Sequence, residues 1–343
     1  MNILYGIAGE GLGHATRSRP VIERLQKKHK VHILVSGNAY LFLKGRLKNV
    51  HEIDGMNIYY KDNCVRHIAT FFYSLFKLPK MVLKNLFVVV KLLLKFVPDV
   101  VVTDFESLSW IVGKLLGRKV ISIDNIHALT HLEIDEVHAG AGLFDSLVVL
   151  MKTPFCSKYF IPSFFHAEPR KGNVIVVPPI LRKEVIKAVP EVKNHILVYQ
   201  TSKSFREQLV KILSDFPKEN FILYGFGAEP GQGNIHFEAS SEKEFIEVLR
   251  SAKAVITNGG FTLITEALYL GKPVLSVPVK KHQEQNVNAH YIEKLGYGMC
   301  VSNLDCGALR KFLDGIPKYS ASLKGYERFD NSLVLSLIDR AVK

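Results

Sequence analysis

The sequence predicts an α/β protein built as two similar domains, and three observations carry that expectation. Short, wholly apolar runs such as Val174–Val177, Ile196–Tyr199 and Ala254–Thr257 stand between helical stretches, as parallel strands covered on both faces do. A chain of 343 residues has room for two domains of ordinary size, each with its own core. The second half also restarts with a strand and a polar loop that mirror the N-terminal strand and its glycine-rich loop.

Composition narrows the class. Residues of apolar type make up 48% of the chain, which argues against extended disorder. Cys64, Cys156, Cys300 and Cys306 are scattered without CxxC pairs, as reduced thiols of a cytosolic protein would be. The N-terminus enters a strand at once and lacks the pattern of a secretion signal, so a cytoplasmic location is expected. Lys and Arg number 45 against 32 Asp and Glu, and the net charge of +13 implies an anionic partner. No RNA-binding signature or zinc-finger spacing supports nucleic acid, which leaves phosphorylated substrates and acidic lipid.

Taken in order, Asn2 to Ala8 reads as a strand, followed by Gly9-Glu10-Gly11-Leu12-Gly13-His14 and a helix from about Thr16 to Lys28. A glycine-rich loop there lets backbone approach a ligand. A dinucleotide fold would place an acid after the second strand, where this chain has Ser36-Gly37-Asn38, and no GK[ST] motif follows the loop. Arg17 and Arg19 are phosphate ligands or solvated side chains. Tyr59 to Val97 is rich in Phe, Leu and Val, with Lys77, Lys80, Lys84, Lys91 and Lys95 at near-helical intervals. Its uncharged runs fall far short of the ~20 residues a membrane span needs. Two readings stay open: an interfacial amphipathic helix meeting anionic lipid, or a helix pair whose lysines form its wet face.

Asp99 to Thr103 is a strand ending in Asp104-Phe105-Glu106, and a helix runs from Ser109 to Leu116 with Gly117 as its stop. Val120 to Ile123 is the next strand, delivering Asp124, Asn125 and His127 to the same sheet edge, where an acceptor pocket is expected. No Asp-x-Asp pair or His spacing indicates a metal. Leu147 to Leu150 reads as a further strand, and the stretch after Pro178-Pro179 as a hinge. The expected division is an N-terminal domain over 1–180, a linker over 181–194, a C-terminal domain over 195–330, and a last helix over 331–343 returning to the first domain.

In the second half, the loop Gln200-Thr201-Ser202-Lys203-Ser204 offers hydroxyls and a cation to phosphate. The densest signal is Val255 to Ala289. Asn258-Gly259-Gly260 makes a sharp turn, Thr262 caps a helix ending at Leu270, and Gly271 and Pro273 stop it. Backbone amides at such a helix start form an anion site suited to a diphosphate. Glu266 lies one turn inside, placed to accept hydrogen bonds from ribose hydroxyls. Glu284, Gln285 and Asn288 leave the next strand on the same edge. Together they describe a site for a nucleotide diphosphate carrying a sugar.

This segment resembles the donor signature of inverting glycosyltransferases of the GT-B fold, the group of the peptidoglycan-precursor N-acetylglucosaminyltransferase and the UDP-glycosyltransferases. The matching parts are Asn258-Gly259-Gly260, Glu266, Pro278, Glu284-Gln285 and Asn288-Ala289. Asn258 departs from the His or Arg of many relatives, and the loop from Pro278 to Gln285 is longer than in the plant enzymes. The resemblance implies two Rossmann-like doubly wound parallel-sheet domains facing a cleft. It implies donor contacts from Gly11, Gly13, Thr201, Ser202, Phe237, Ser240, Asn258, Gly259, Gly260, Phe261, Thr262, Glu266, Glu284, Gln285 and Asn288, with Phe237 and Ser240 reading the base. His14 matches the His ending the first loop and is the expected base, an imidazole being suited to take a proton from a hydroxyl. Asp104 and Glu106 are rivals for that role or partners of His14. The paired glutamates of many retaining relatives are missing, since the first would fall at Asn258, and inversion is expected. No metal and no cofactor beyond a UDP-sugar donor is implied. The acceptor stays open, a lipid-linked one fitting a peripheral membrane location. The rival readings are a UDP-sugar 2-epimerase of the same fold and a non-catalytic membrane-associated sugar-nucleotide-binding protein.

Overall fold

Each apolar run pairs in parallel with a neighbour, and two separate large sheets result, beside one short two-stranded antiparallel ladder, Tyr60–Lys61 with Cys64–Val65. The computed structural model describes residues 1–9, 11–55, 60–61, 64–65, 67–135, 137, 142–200, 205–239 and 241–343. The first half runs β1 (Asn2–Ile7), α1 (Gly13–Leu25), β2 (Lys30–Ser36), α2 (Gly37–Leu43), β3 (Val50–Ile53), β4 (Tyr60–Lys61), β5 (Cys64–Val65), α3 (His67–Leu93), β6 (Val100–Asp104), α4 (Ser107–Leu115), β7 (Lys119–Ile123), α5 (Ala128–His131), α6 (Gly142–Lys152), β8 (Lys158–Pro162) and β9 (Val174–Val177). After α7 (Lys183–Lys187) the second half runs β10 (Ile196–Tyr199), α8 (Arg206–Ser214), β11 (Phe221–Tyr224), β12 (Ile235–Phe237), α9 (Glu242–Ser251), β13 (Ala254–Thr257), α10 (Phe261–Tyr269), β14 (Val274–Ser276), α11 (Gln283–Lys294), β15 (Gly298–Cys300), α12 (Cys306–Leu323) and α13 (Ser332–Val342).

The first sheet has the order β3-β2-β1-β6-β7-β8-β9 and the second β12-β11-β10-β13-β14-β15, every neighbouring pair parallel. In each, the chain builds outward from a central strand, returns, and builds the other way. The order therefore reverses between β1 and β6 in one lobe and between β10 and β13 in the other. Loops leaving adjacent strands diverge there and open a crevice, where α/β sheets bind ligands.

Helices cover both faces. Val21, Ile22 and Leu25 of α1 and Val334 and Ile338 of α13 pack on one face of the first sheet, so the last helix returns to the N-terminal lobe, tied also by Arg24 to Asp339 at 2.9 Å. Val89 and Leu92 of α3 and Val112 of α4 pack on the other face. The lobes meet where Phe165 stacks on Tyr291 with centroids 3.6 Å apart and Phe164 lies 6.1 Å from Phe261. Asp135 adds ion pairs to His290 and Lys294 of α11 at 2.8 and 2.6 Å.

Several local expectations change. Leu147–Leu150 lies inside helix α6, not in a strand; four apolar residues do not distinguish the two, and the strand there is β8. Helix α1 begins at Gly13, so His14 stands in its first turn. The lysine-studded region is one 27-residue helix, α3, with Pro79 inside it, not a helix pair. Among the described residues no helix is long and apolar enough to cross a membrane.

Acid should weaken this fold. Burial first, then the neighbouring His127, pushes His131 down to about 4, and burial with neighbouring His51 does the same for His32. Below the unfolded value near 6.5 the unfolded chain takes up these protons first, so stability held above ~6.5 is lost as pH falls towards 4. Urea unfolding at pH 7 and pH 4.5 is expected to differ by ~2–4 kcal/mol in favour of pH 7, at about 1.4 kcal/mol per pKa unit discounted for the partly exposed His32. Equal stability at both pH values would remove the assignment.

Candidate active site

The site begins at the crevice of the first sheet. Ile7 of β1 pairs with Asp104, the last residue of β6, so the acid is delivered beside the loop that opens α1. Asp104 is fully buried, and among the described residues its carboxylate is hydrogen-bonded from α1. His14 Nδ1 lies 2.8 Å from Oδ1, Arg17 Nε donates to Oδ2 at 2.9 Å, and Ser18 Oγ donates to Oδ2 at 2.8 Å. Burial alone would raise this carboxyl, but Arg17 and His14 outweigh it and hold it below the usual range. His14 Nδ1 also lies 2.7 Å from Arg17 Nη2, which can only donate, so Asp104 and Arg17 compete for this nitrogen. Where the ionised Asp104 accepts from His14, the ring proton is on Nδ1 and the Nε2 lone pair is free. The His14 side chain is 14% exposed, an opening that a hydroxyl can reach.

A second line of contacts crosses to the other lobe. Arg17 also donates to Asn125 Oδ1, and Asn125 Nδ2 donates to Glu284 Oε1 at 2.8 Å. Glu284 stands in the first turn of α11. Beside it, Thr262 Oγ1 donates to the carbonyl of Gly13 at 3.1 Å, so the start of α10 touches the start of α1.

The turn before α10 needs its glycine. Gly259 has φ +95°, and a Cβ there would lie 2.9 Å from Ser276 Oγ and 3.0 Å from the Gln285 carbonyl. Asn288 Nδ2 donates to the Gly259 carbonyl at 3.0 Å, Gln285 Oε1 accepts from the Val279 amide at 2.9 Å, and Asn258 Nδ2 donates to Gln200 Oε1. These amides hold the turn and the following loop. Gly260 caps α10 with no side-chain acceptor, so the first amides of Phe261 and its neighbours point outward without an internal partner. Thr262 is not the cap; its hydroxyl is committed to Gly13.

Other expected site residues go elsewhere. Glu106 spends its two carboxylate oxygens on the amides of Leu108 and Ser109, both at 2.7 Å, which makes it the cap of α4 and turns it from the crevice. Asp124 and His127 form a buried pair at 2.7 Å, with Ser122 donating to the acid and Thr153 beside His127 Nε2 at 3.3 Å. Only Asn125 of that trio reaches the cleft. Phe237 is buried in the C-lobe core, under the Arg206 guanidinium at 4.8 Å. Gly11 is exposed at φ +69° in the loop before α1. Thr201, Ser202 and Ser240 lie outside the described residues. Arg17 and Arg19 are neither solvated nor open to phosphate, since both are buried and paired with acids.

Glu266 is 1% exposed, and both its oxygens accept from Arg182, through Nε at 2.7 Å and through Nη2. Arg182 was not singled out by sequence; an arginine after the apolar pair Ile180-Leu181 in a linker was the available signal. Among the described residues no group of three or more His, Cys, Asp or Glu is placed to hold a metal.

A family model described as glycosyl transferase family 1 matches residues 1–317. An uncharacterized glycosyltransferase of Methanosarcina mazei is 26% identical over 375 residues, covering 97% of this chain and 95% of the relative. The UDP-N-acetylglucosamine--N-acetylmuramyl-(pentapeptide) pyrophosphoryl-undecaprenol N-acetylglucosamine transferase 3 of Bacillus cereus is 24% identical over 299 residues, covering 77% of this chain and 79% of that one. The crystal structure of the kitacinnamycin glycotransferase superposes with a TM-score of 0.68 at 14% identity, over 99% of this chain and 98% of that one. The two facing parallel-sheet lobes are the GT-B fold. With all but its last 26 residues inside the family model, the chain belongs to glycosyl transferase family 1 and is a glycosyltransferase.

Proposed function

We propose that this transferase moves a hexose from a UDP-sugar to a hydroxyl of a lipid-linked acceptor, with inversion and without a bound metal. The observation that carries the reading is the contact of Thr262 with Gly13, which sets the His14–Asp104 pair against the uncapped start of α10. His14 Nε2 takes the acceptor's hydroxyl proton, and Asp104 stabilises the imidazolium. The oxygen forms its bond to the anomeric carbon as the bond to the diphosphate breaks from the opposite face. The electron pair leaves with the diphosphate, whose growing charge meets the α10 amides and helix dipole. Glu284 accepts hydrogen bonds from the sugar hydroxyls, and Glu266 from the ribose. The donor and acceptor named for the Bacillus cereus relative support a UDP-sugar and a lipid carrier. A peripheral location at the cytoplasmic face of a membrane follows, with α3 as the surface that meets anionic lipid.

The test is a thermal-shift screen of nucleoside diphosphates and their sugars, since a ligand of the folded state raises its melting temperature. UDP and at least one UDP-sugar are expected to raise it by a few degrees, and GDP or ADP to do less; ~1 kcal/mol of binding corresponds to about 1–2 °C in a chain of 343 residues. No shift with any nucleotide would sink the reading.

A further inference from the structure

The Glu266 carboxylate does not face open space. It is filled by Arg182, which lies in the linker at the start of α7 and so belongs to neither sheet. The guanidinium sits 5.6 Å over the Phe245 ring, and its Nη1 is 3.5 Å from Glu242 Oε1 at the start of α9. Glu242 in turn is gripped at 2.9 and 3.0 Å by Nη1 of Arg19, on α1, the helix that carries His14. Arg19 Nη2 donates to Glu184 at 2.7 Å, its Nε lies 3.7 Å from Glu23, and Arg46 Nε lies 3.7 Å from Glu242. Three arginines and four glutamates thus join the linker, the C-terminal lobe and the N-terminal lobe at α1.

Leaving a buried guanidinium unpaired is strongly unfavourable, so Arg182 can release Glu266 only if another anion waits within reach. Glu242 does. We propose that Arg182 is a latch on the donor site: a nucleotide ribose takes Glu266 as Arg182 transfers to Glu242, and the shift reaches α1 through Arg19. The inference rests on the reading of Glu266 as the ribose ligand. Two consequences follow. Donor affinity is lowered by the fraction of molecules that are latched. Capture of the donor is also felt by the helix that holds the base, so donor and acceptor binding are coupled.

The experiment is calorimetry on the full chain with UDP and with 2′,3′-dideoxy-UDP, which lacks the hydroxyls that open the latch. Arg182→Gln is expected to bind UDP about tenfold tighter than wild type, with dideoxy-UDP unchanged. Glu242→Gln, which keeps the Arg182–Glu266 pair and leaves Arg19 paired with Glu184, is expected to bind UDP about tenfold more weakly, again with dideoxy-UDP unchanged. Should Arg182→Gln fail to fold, Arg182→Lys keeps the charge without the bidentate fork and should move the UDP to dideoxy-UDP ratio the same way. Equal weakening of both ligands in the Arg182 variants would make Arg182 a static support and overturn the latch alone. Wild-type protein that binds UDP and dideoxy-UDP equally, or binds neither, would overturn the ribose reading of Glu266 and the latch with it.

Discussion

His14→Ala is expected to lower kcat by ~10²–10⁴-fold, the usual contribution of a positioned general base, while donor KM stays within a few-fold. The asymmetry comes from geometry. His14 sits on the N-terminal lobe with its Nδ1 held by Asp104 at 2.8 Å, whereas the groups assigned to the donor belong to the other lobe. Loss of the imidazole therefore removes an interaction of the transition state and little ground-state binding. Acceptor-dependent release of UDP is the readout. Slow donor hydrolysis, with water in place of the acceptor, serves until an acceptor is in hand. Asp104 does not step in, because even without the imidazole Arg17 donates to both its oxygens and Ser18 to Oδ2. Glu106 cannot either, as its oxygens cap α4. Turnover retained in His14→Ala would thus dismiss the dyad as the source of the base.

What could be read from the sequence was what spacing along one element decides. Strand β13, the Gly259 turn and α10 are contiguous, so their geometry follows from a glycine at positive φ and a helix start. Pairings made by tertiary packing left no such trace. Arg182 and Glu266 are 84 residues apart, and Asn125 and Glu284 are 159 apart. Asp124 and His127 show why a position after a strand is insufficient. Both follow β7 at the crevice edge, as Asn125 does, yet the turn into α5 folds them inward as a buried pair and leaves the amide facing Glu284. Glu106 was ambiguous for a related reason, since a carboxylate before a helix is equally a cap.

A triple substitution along α3 and the turn that ends it, Leu83→Gln with Phe87→Gln and Leu94→Gln, is expected to abolish association with anionic vesicles and leave UDP binding intact. Val89, Leu92 and Phe96 bury one side of this region in the lobe. Leu83, Phe87, Val90 and Leu94 recur at spacings of four, three and four on the opposite side, where they are 69%, 69%, 48% and 81% exposed. A helix in water has no use for a second apolar stripe. Lys80, Lys91 and Lys95 lie between the stripes along one flank, placed to reach acidic headgroups, while Lys84 on the same flank is paired with Asp54 at 2.6 Å. Even at ~1 kcal/mol per side chain, below the 1.5–3 of full burial, three substitutions amount to about a hundredfold in partitioning. Each lysine near the surface adds about 1 kcal/mol that salt should weaken. Cosedimentation with vesicles of neutral lipid, alone or with a third of anionic lipid, separates the two contributions. Wild-type protein that ignores the anionic vesicles at low salt would refute the lipid-facing role of α3, while equal binding by the triple variant would move the contact to another surface.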